Sequence, residues 1–415
     1  MKPLHTLTLR DLAAGIRDKR WSAAEVMRAH AARIVELEPR VQAWAHLDLD
    51  RAMSAAEAAD SSQPRGPLHG VPIAVKDIID VAGMPTRYGS PIYASAAAKT
   101  ESAACVQAIE QAGATIVGKS VTTEFAYYTS RKTRNPWNVA HTPGGSSMGS
   151  AAGVACGMVA GALGTQTNGS VVRPAAFCGV VGFKPTFGTS SNEGVLDPWP
   201  TLDHTGVFAR RVGDAAVLAA CISESRIRGA IQMQAHAPRL ACVRTPVWDL
   251  AEAAQKAMLN SNASTLADAG AHVEEVALPA GFEDAHRVHR LILAYEGARH
   301  FAGLQQRHRG DMSPRFNDLI DEGAAVSEND YCDALQRTSR LRSEFARVVS
   351  GYDAIITPPA AGEAPPTLSE TGNPAFCTIW TLLGVPAVTI PVGLGPAGLP
   401  LGMQIVGASG TDNAT

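Results

Sequence analysis

Lys76, Ser146 and Ser170 are the residues whose types and settings could do covalent chemistry. Lys76 closes the apolar run Gly-Val-Pro-Ile-Ala-Val-Lys and is followed by Asp77 and Asp80. Two readings of it stand. A lysine at a surface strand end would snorkel or pair with one of those acids. A buried lysine would lose proton affinity, because desolvation disfavours the ammonium form, and could act as a neutral base. Ser146 lies in Gly-Gly-Ser-Ser and Ser170 in Thr-Asn-Gly-Ser. A turn that runs into a helix points backbone N–H groups outward, and such groups can hold an oxyanion beside a nucleophilic hydroxyl. The bland alternative is that these hydroxyls only cap and turn the chain.

The stretch that carries both serines, Gly144 to Gly188, has no Asp or Glu and only two cationic residues, Arg173 and Lys184. It is rich in Gly, Ala and Ser. A run of this composition is buried, so its hydroxyls need partners. It reads as a tightly packed helix between a glycine–serine loop and a second polar turn. Pro174 favours an early helical position and puts the helix start near Val172 or Arg173. Of the twelve histidines, only His141 lies near this block in sequence, and it sits in a polar loop.

The elements that must position these residues alternate. Thr8 and Ser22 open two capped helices, the second ending near Pro39. A short strand within 41–47, an Ala-rich helix over 49–60 and a strand over 71–75 follow. A helix over 103–113, a strand over 115–117 and an aromatic loop over 121–143 lead into the serine block. The rhythm resumes with helix 213–222, strand 239–244, helix 250–269 and strand 272–276. Residues 281–350 read as helical, with breaks near 310–314 and 323–328 and with Tyr295 and Glu296 inside. A strand over 352–357, a helix over 375–383 and strands over 387–391 and 401–406 close the chain. Strands alternating with helices imply an α/β architecture. The expectation is a single α/β/α layered domain, 1–415, around a mixed, largely parallel sheet. The catalytic core falls at about 65–215, and a helical cover at about 281–350.

Composition narrows the function. With 46% hydrophobic and 18% charged residues and a net charge of −3, the chain is an ordinary globular protein. No polybasic block points to nucleic acid or a membrane surface. Seven scattered cysteines without a CxxC pair read as free thiols, not a disulfide or zinc framework, and the N-terminus lacks a signal peptide's apolar core. The expected location is cytoplasmic.

Taken in order, GVPIAVKD, GGSSMGSAAGVACG and TNGSVVRPAAFCGVVGFKPTFG resemble the amidase signature family, and so does the closing LLGVPAVTIPVGLGPAGLPLGMQIVG. The resemblance implies one α/β/α domain and amide hydrolysis by a lysine and two serines, without metal or organic cofactor. It assigns the base to Lys76, a bridging serine after a cis peptide to Ser146, and the nucleophile to Ser170. It assigns the oxyanion loop to Thr167, Asn168 and Gly169. Two departures stand out. Gln166-Thr167-Asn168-Gly169-Ser170 replaces the common Asp-Thr-Gly-Gly-Ser, and the arginine comes three residues after the nucleophile, at Arg173, not two. The latter is similar to a malonamidase-like branch, in which that arginine binds a substrate carboxylate. Arg173 is thus either a fork-shaped anion binder or a structural contact at the helix start. Phe125, Tyr127, Tyr128 and Trp380 are candidate pocket walls or ordinary core.

The function expected is serine-dependent hydrolysis of a small carboxylic amide through an acyl-enzyme. The alternatives are a carbamate or urea-type hydrolase and the glutaminase-type subunit of a tRNA-dependent amidotransferase. The partner expected is a small-molecule amide, with a homodimer as an option and neither nucleic acid nor membrane.

Overall fold

In the computed structural model, residues 2–129, 132–223, 227 and 236–415 are described. Two of the 121–143 loop residues, 130 and 131, lie outside them. The chain opens with α1 (Leu9–Arg17) and α2 (Ala23–Val41). Thr8 caps α1, and Ser22 with Glu25 forms the expected capping box on α2. α2 runs two residues past Pro39, to a left-handed Gln42. Then come β1 (Trp44–Leu47), α3 (Leu49–Asp60), β2 (Pro72–Lys76), α4 (Ala104–Gln111) and β3 (Thr115–Ser120). The serine block folds as α5 (Met148–Ala155), β4 (Gly161–Gln166), α6 (Val172–Cys178) and β5 (Val181–Lys184), and β6 (His204–Ala209) returns beside it. After α7 (Val212–Ile222) come β7 (Arg239–Val243), α8 (Ala253–Asp268) and β8 (His272–Val276). The segment expected as a cover folds as α9 (Ala285–His308), α10 (Pro314–Ala324) and α11 (Glu328–Val349). The closing elements are β9 (Ala354–Thr357), α12 (Ala375–Leu383), β10 (Ala387–Leu394) and β11 (Pro400–Val406).

All these strands join one 11-stranded sheet, in the order β1-β3-β2-β4-β6-β5-β10-β11-β9-β7-β8. The sheet is mixed, but parallel pairing does not dominate. It is confined to β3-β2-β4 on one flank and β9-β7-β8 on the other. The centre, from β4 to β9, is antiparallel throughout, and so is the β1–β3 edge. Adjacent strand residues fall in separate apolar cores. Ala387 lies in one and Val388 in another, as do Ala241 and Cys242, and Ile355 and Ile356. Successive strand side chains point to opposite faces, so helices cover both faces and the domain has three layers.

Three strands were not expected from sequence: β4, β5 and β6. Their sequences, GALGTQ, VGFK and HTGVFA, hold glycines and show no alternation. The small-residue run expected as one helix is therefore split, with α5 ending at Ala155 and β4 beginning at Gly161. Packing explains the glycines. A Cβ at Gly164 would lie 2.6 Å from the Phe208 ring and 2.8 Å from Ser147 Oγ. Gly149 in α5 is tighter still, since a Cβ there would stand 2.2 Å from the Ala43 carbonyl oxygen and 2.4 Å from Val121 N. Those are backbone atoms and cannot rotate away. Gly149→Ala is accordingly expected to cost roughly 1–3 kcal/mol or more, read as a lower urea midpoint. An unchanged midpoint would show that α5 can move off β3.

Candidate active site

β2 delivers Lys76 from a strand whose residues are all buried. The Lys76 side chain is fully buried. Its Nζ lies 2.7 Å from Ser146 Oγ and 2.6 Å from Thr165 Oγ1, with the Thr165 carbonyl at 3.5 Å. The acids next to it in sequence are engaged elsewhere. Asp77 pairs with buried Lys119 at 3.1 Å, and Asp80 pairs with Lys99 at 3.0 Å. The surface-pair reading of Lys76 is therefore excluded. Burial lowers its pKa to about 7, against a smaller upward pull from Asp203. Near neutrality such an amine can donate to Thr165 and take a proton from Ser146.

Ser146 is held by the loop before α5. The Gly145–Ser146 peptide is cis, and Gly144 has φ 81°. A Cβ at Gly144 would lie 2.7 Å from Pro174 Cα, so this loop and α6 touch backbone to backbone. The remaining serines of the block are satisfied, as the burial argument requires. Ser147 Oγ donates to the Thr165 carbonyl at 3.2 Å and accepts from its N–H at 3.3 Å. Ser150 Oγ meets Ser120 Oγ at 2.7 Å and donates to the Leu163 carbonyl at 2.9 Å.

Ser170 ends the turn between β4 and α6. The resemblance assigned the anion-holding groups to this turn, and the N–H groups that follow it at the start of α6 are already engaged. The Gln166 amide oxygen accepts from Val171 N at 2.8 Å and Val172 N at 3.0 Å. Among the described residues, the N–H groups of Asn168, Gly169 and Ser170 donate to no protein acceptor. The turn itself is clamped from behind. His289 of α9 meets the Thr167 carbonyl at 2.9 Å, and Thr381 of α12 donates to the Asn168 carbonyl at 2.5 Å. Thr378 holds the Asn168 side chain at 2.8 Å. Burial lowers the His289 pKa to about 4, so it holds the turn as a neutral donor. Gln166, Thr165, His289 and Thr381 were not found from sequence as site residues. Only Gln166 carried a signal, as the departure from the common Asp.

Ser146 and Ser170 open on one cavity with Thr167, Asn168, Gly169, Arg173, Tyr127, Tyr128, Trp199, Leu293 and Thr371 in its wall. Among the described residues the two hydroxyls make no direct hydrogen bond to each other, a slack that catalytic contacts often show without substrate. The water-accessible space is only about 20 Å³, room for about one water. A larger groove of about 880 Å³ lies by the N-terminal segment and holds none of these residues; size alone does not locate the site. Tyr127 and Tyr128 reach the cavity from a loop in which Phe125 and Ala126 both have positive φ, 45° and 61°, a conformation held at some cost and common at working sites.

Trp380, expected as a pocket wall, is core instead. It is fully buried against Phe345, with ring centroids 5.7 Å apart. Trp199 takes the aromatic place in the wall. Phe125 is also core, packed between Phe301 and Phe316. His141 binds the Ala364 carbonyl at 2.6 Å and is absent from the cavity wall. In the cover, Glu296 accepts from Thr201 and Tyr331, and Tyr295 stacks on Tyr331, so this pair braces the cover. Arg173 faces the cavity. Its guanidinium donates to the Gly372 carbonyl at 2.6 Å, the Gly145 carbonyl at 2.7 Å and Thr371 Oγ1 at 3.2 Å. Among the described residues, its Nε is buried without a partner and no carboxylate forms an ion pair with it. Among the described residues, no group of three His, Cys, Asp or Glu is placed to hold a metal, and no helix is long and apolar enough to cross a membrane.

A lysine of lowered basicity touching one serine, with a second serine beside free N–H groups in the same cavity, is equipment for acyl transfer. The amidase family profile matches residues 25–415, and the chain belongs to that family of amide-hydrolysing enzymes. It is 32% identical to the A subunit of the glutamyl-tRNA(Gln) amidotransferase of Anaeromyxobacter dehalogenans (strain 2CP-C), over 98% of this chain and 93% of that one. A crystal structure of an amidase superposes with a TM-score of 0.89 at 31% identity, covering 98% of this chain and 97% of the other. The peptide amidase of Stenotrophomonas maltophilia does so with a TM-score of 0.84 at 27% identity, covering 99% and 95%.

Proposed function

We propose that this chain hydrolyses a small carboxylic amide bearing an anionic group, through an acyl-enzyme on Ser170. The observation that carries the reaction is the 2.7 Å contact of a fully buried Lys76 with Ser146. Ser170 Oγ attacks the amide carbonyl. Its proton passes to Ser146, whose own proton passes to neutral Lys76. The tetrahedral oxyanion meets the N–H groups of Asn168, Gly169 and Ser170. The relay then runs backward, Ser146 protonates the leaving nitrogen, and the C–N bond breaks. Water enters by the same relay and releases the acid.

Arg173 supports the anionic substrate. A buried guanidinium with an unpartnered Nε and no carboxylate partner among the described residues is an incomplete ion pair, and a substrate carboxylate would complete it. Arg173 also ties the Gly145 carbonyl to the 371–372 strap, so a neutral control substrate is needed. Arg173→Ala is expected to lower kcat/KM on half-amides of dicarboxylic acids by about a hundredfold more than on neutral amides of the same size. Equal losses on both would leave Arg173 only its structural contacts. A panel of neutral, anionic and aryl amides with matched carbamates, assayed by released amine, tests the whole reading. No hydrolysis of any anionic amide would sink it.

The similarity to the amidotransferase chain favours a second reading, an ammonia-releasing subunit that works in a complex. Release of ammonia from glutamine only once a partner protein is added would select it. Turnover of small amides by the purified chain alone selects the first.

A further inference from the structure

The turn that carries Ser170 leaves the sheet at a defined point. The β4–β6 ladder runs through Thr165 opposite Thr205 and Gln166 opposite His204. The next pair, Thr167 and Asp203, lies just beyond it and is joined through side chains, with the Thr167 hydroxyl donating to Asp203 Oδ1. Both residues are buried, at 5% and 7% exposure. Asp203 Oδ2 accepts from Trp199 N at 3.2 Å, and the Asp203 N–H donates to the Trp199 carbonyl at 2.8 Å. Trp199 is itself in the cavity wall and is pinned by its ring N–H to the Leu293 carbonyl at 2.8 Å. One carboxyl group thus grips both the start of the Ser170 turn and a second residue of the cavity wall.

A carboxyl in this place needs a reason. Burial, with Asp197 close by, pushes Asp203 well above the usual carboxylate range; among the described residues no cation forms an ion pair with it, and a buried acid so placed costs stability. Its bond to Thr167 stands where the next ladder bond would be. From that point the chain presents the N–H groups of Asn168, Gly169 and Ser170.

We propose that Asp203 is a positioning residue for amide hydrolysis, acting through the Thr167 hydroxyl to fix the turn that presents Ser170 and its oxyanion donors. This rests on the reading of Ser170 as the nucleophile. The substrate touches the turn and not Asp203, so the effect falls on the transition state. A displacement of about an ångström at such a turn lowers turnover by about a hundredfold.

The experiment uses the full chain and the best substrate of the amide panel. Thr167→Val keeps the buried shape and removes the hydroxyl, while Thr167→Ser keeps the hydroxyl. Thr167→Val is expected to lower kcat about a hundredfold with KM unchanged, and Thr167→Ser to restore most of it. Asp203→Ala, or Asp203→Asn if the alanine variant does not fold, is expected to lower kcat with KM unchanged. The double variant with Thr167→Val should be no slower than the slower single variant, because both cut one connection. Wild-type kcat in Thr167→Val, a loss confined to KM, or multiplying losses in the double variant would overturn the proposal. Ser170→Ala is run alongside. If it is dead while Thr167→Val is normal, only the role of Asp203 fails. If it is active, the reading of the site fails.

Discussion

Ser170→Ala is expected to lower kcat by roughly a million-fold while leaving the fold and substrate binding intact. The change removes one oxygen, which takes no part in any hydrogen bond among the described residues, so the melting temperature should barely move. The N–H groups of the turn remain, and the residue left behind is small enough to admit the substrate. What is lost is the hydroxyl that the turn itself carries into the cavity beside those donors. Ser146 cannot replace it, because its oxygen already meets Lys76 at 2.7 Å. The covalent test is sharper than the kinetic one. An activated acyl ester should leave one acyl group on the wild-type chain, seen by intact mass, and none on Ser170→Ala. Ser146→Ala should still be acylated, only slowly, since it keeps the nucleophile and loses the relay. An acyl group found on Ser170→Ala would assign the chemistry to another residue.

Much of this site could be read from residue order, and particular residues show why the rest could not. Lys76, Ser146 and Ser170 lie far apart in sequence but in motifs specific enough to be joined before any coordinates. The elements with strong caps or clear periodicity, such as α1, α2, α3 and β8, were legible for the same reason. β4 was not, because Gly161 and Gly164 erase the strand signal while permitting α5 and Phe208 to approach. Trp380 was misjudged because an aromatic near a motif looks alike whether it faces a cavity or a core. The clamps on the Ser170 turn were invisible because they come from distant helices. His289 is 122 residues away from Thr167, and Thr381 is 213 from Asn168. The sheet's pairing was misread because β6 inserts between β4 and β5, antiparallel to both, and nothing in local composition fixes strand direction.

Lys76→Met is expected to lower kcat/KM by roughly 10²–10⁴-fold and, unlike the serine variant, to change the pH behaviour of both activity and stability. In the proposed relay Lys76 works only as a neutral amine. With its pKa lowered to about 7, kcat/KM should rise with pH up to that point and level off above it. Below it, activity should fall about tenfold per pH unit. The methionine variant has no such proton to lose, so its residual rate should lack this limb. Stability gives an independent reading. The folded pKa lies below the unfolded value of about 10.4, so between about 7 and 10.4 the unfolded chain binds one more proton than the native chain. Wild-type stability must therefore rise with pH across that window. The penalty of burying the ammonium is fully present below the folded pKa and gone above the unfolded one. Methionine removes that penalty along with the contacts to Ser146 and Thr165. The difference in unfolding free energy between variant and wild type should thus favour the variant most below pH 7 and shrink toward pH 10. Lys184, also buried and lowered to about 7, adds the same slope to both proteins and cancels in the difference. A flat difference across this range would mean that Lys76 is charged in the folded protein, and a charged Lys76 could not take the proton from Ser146.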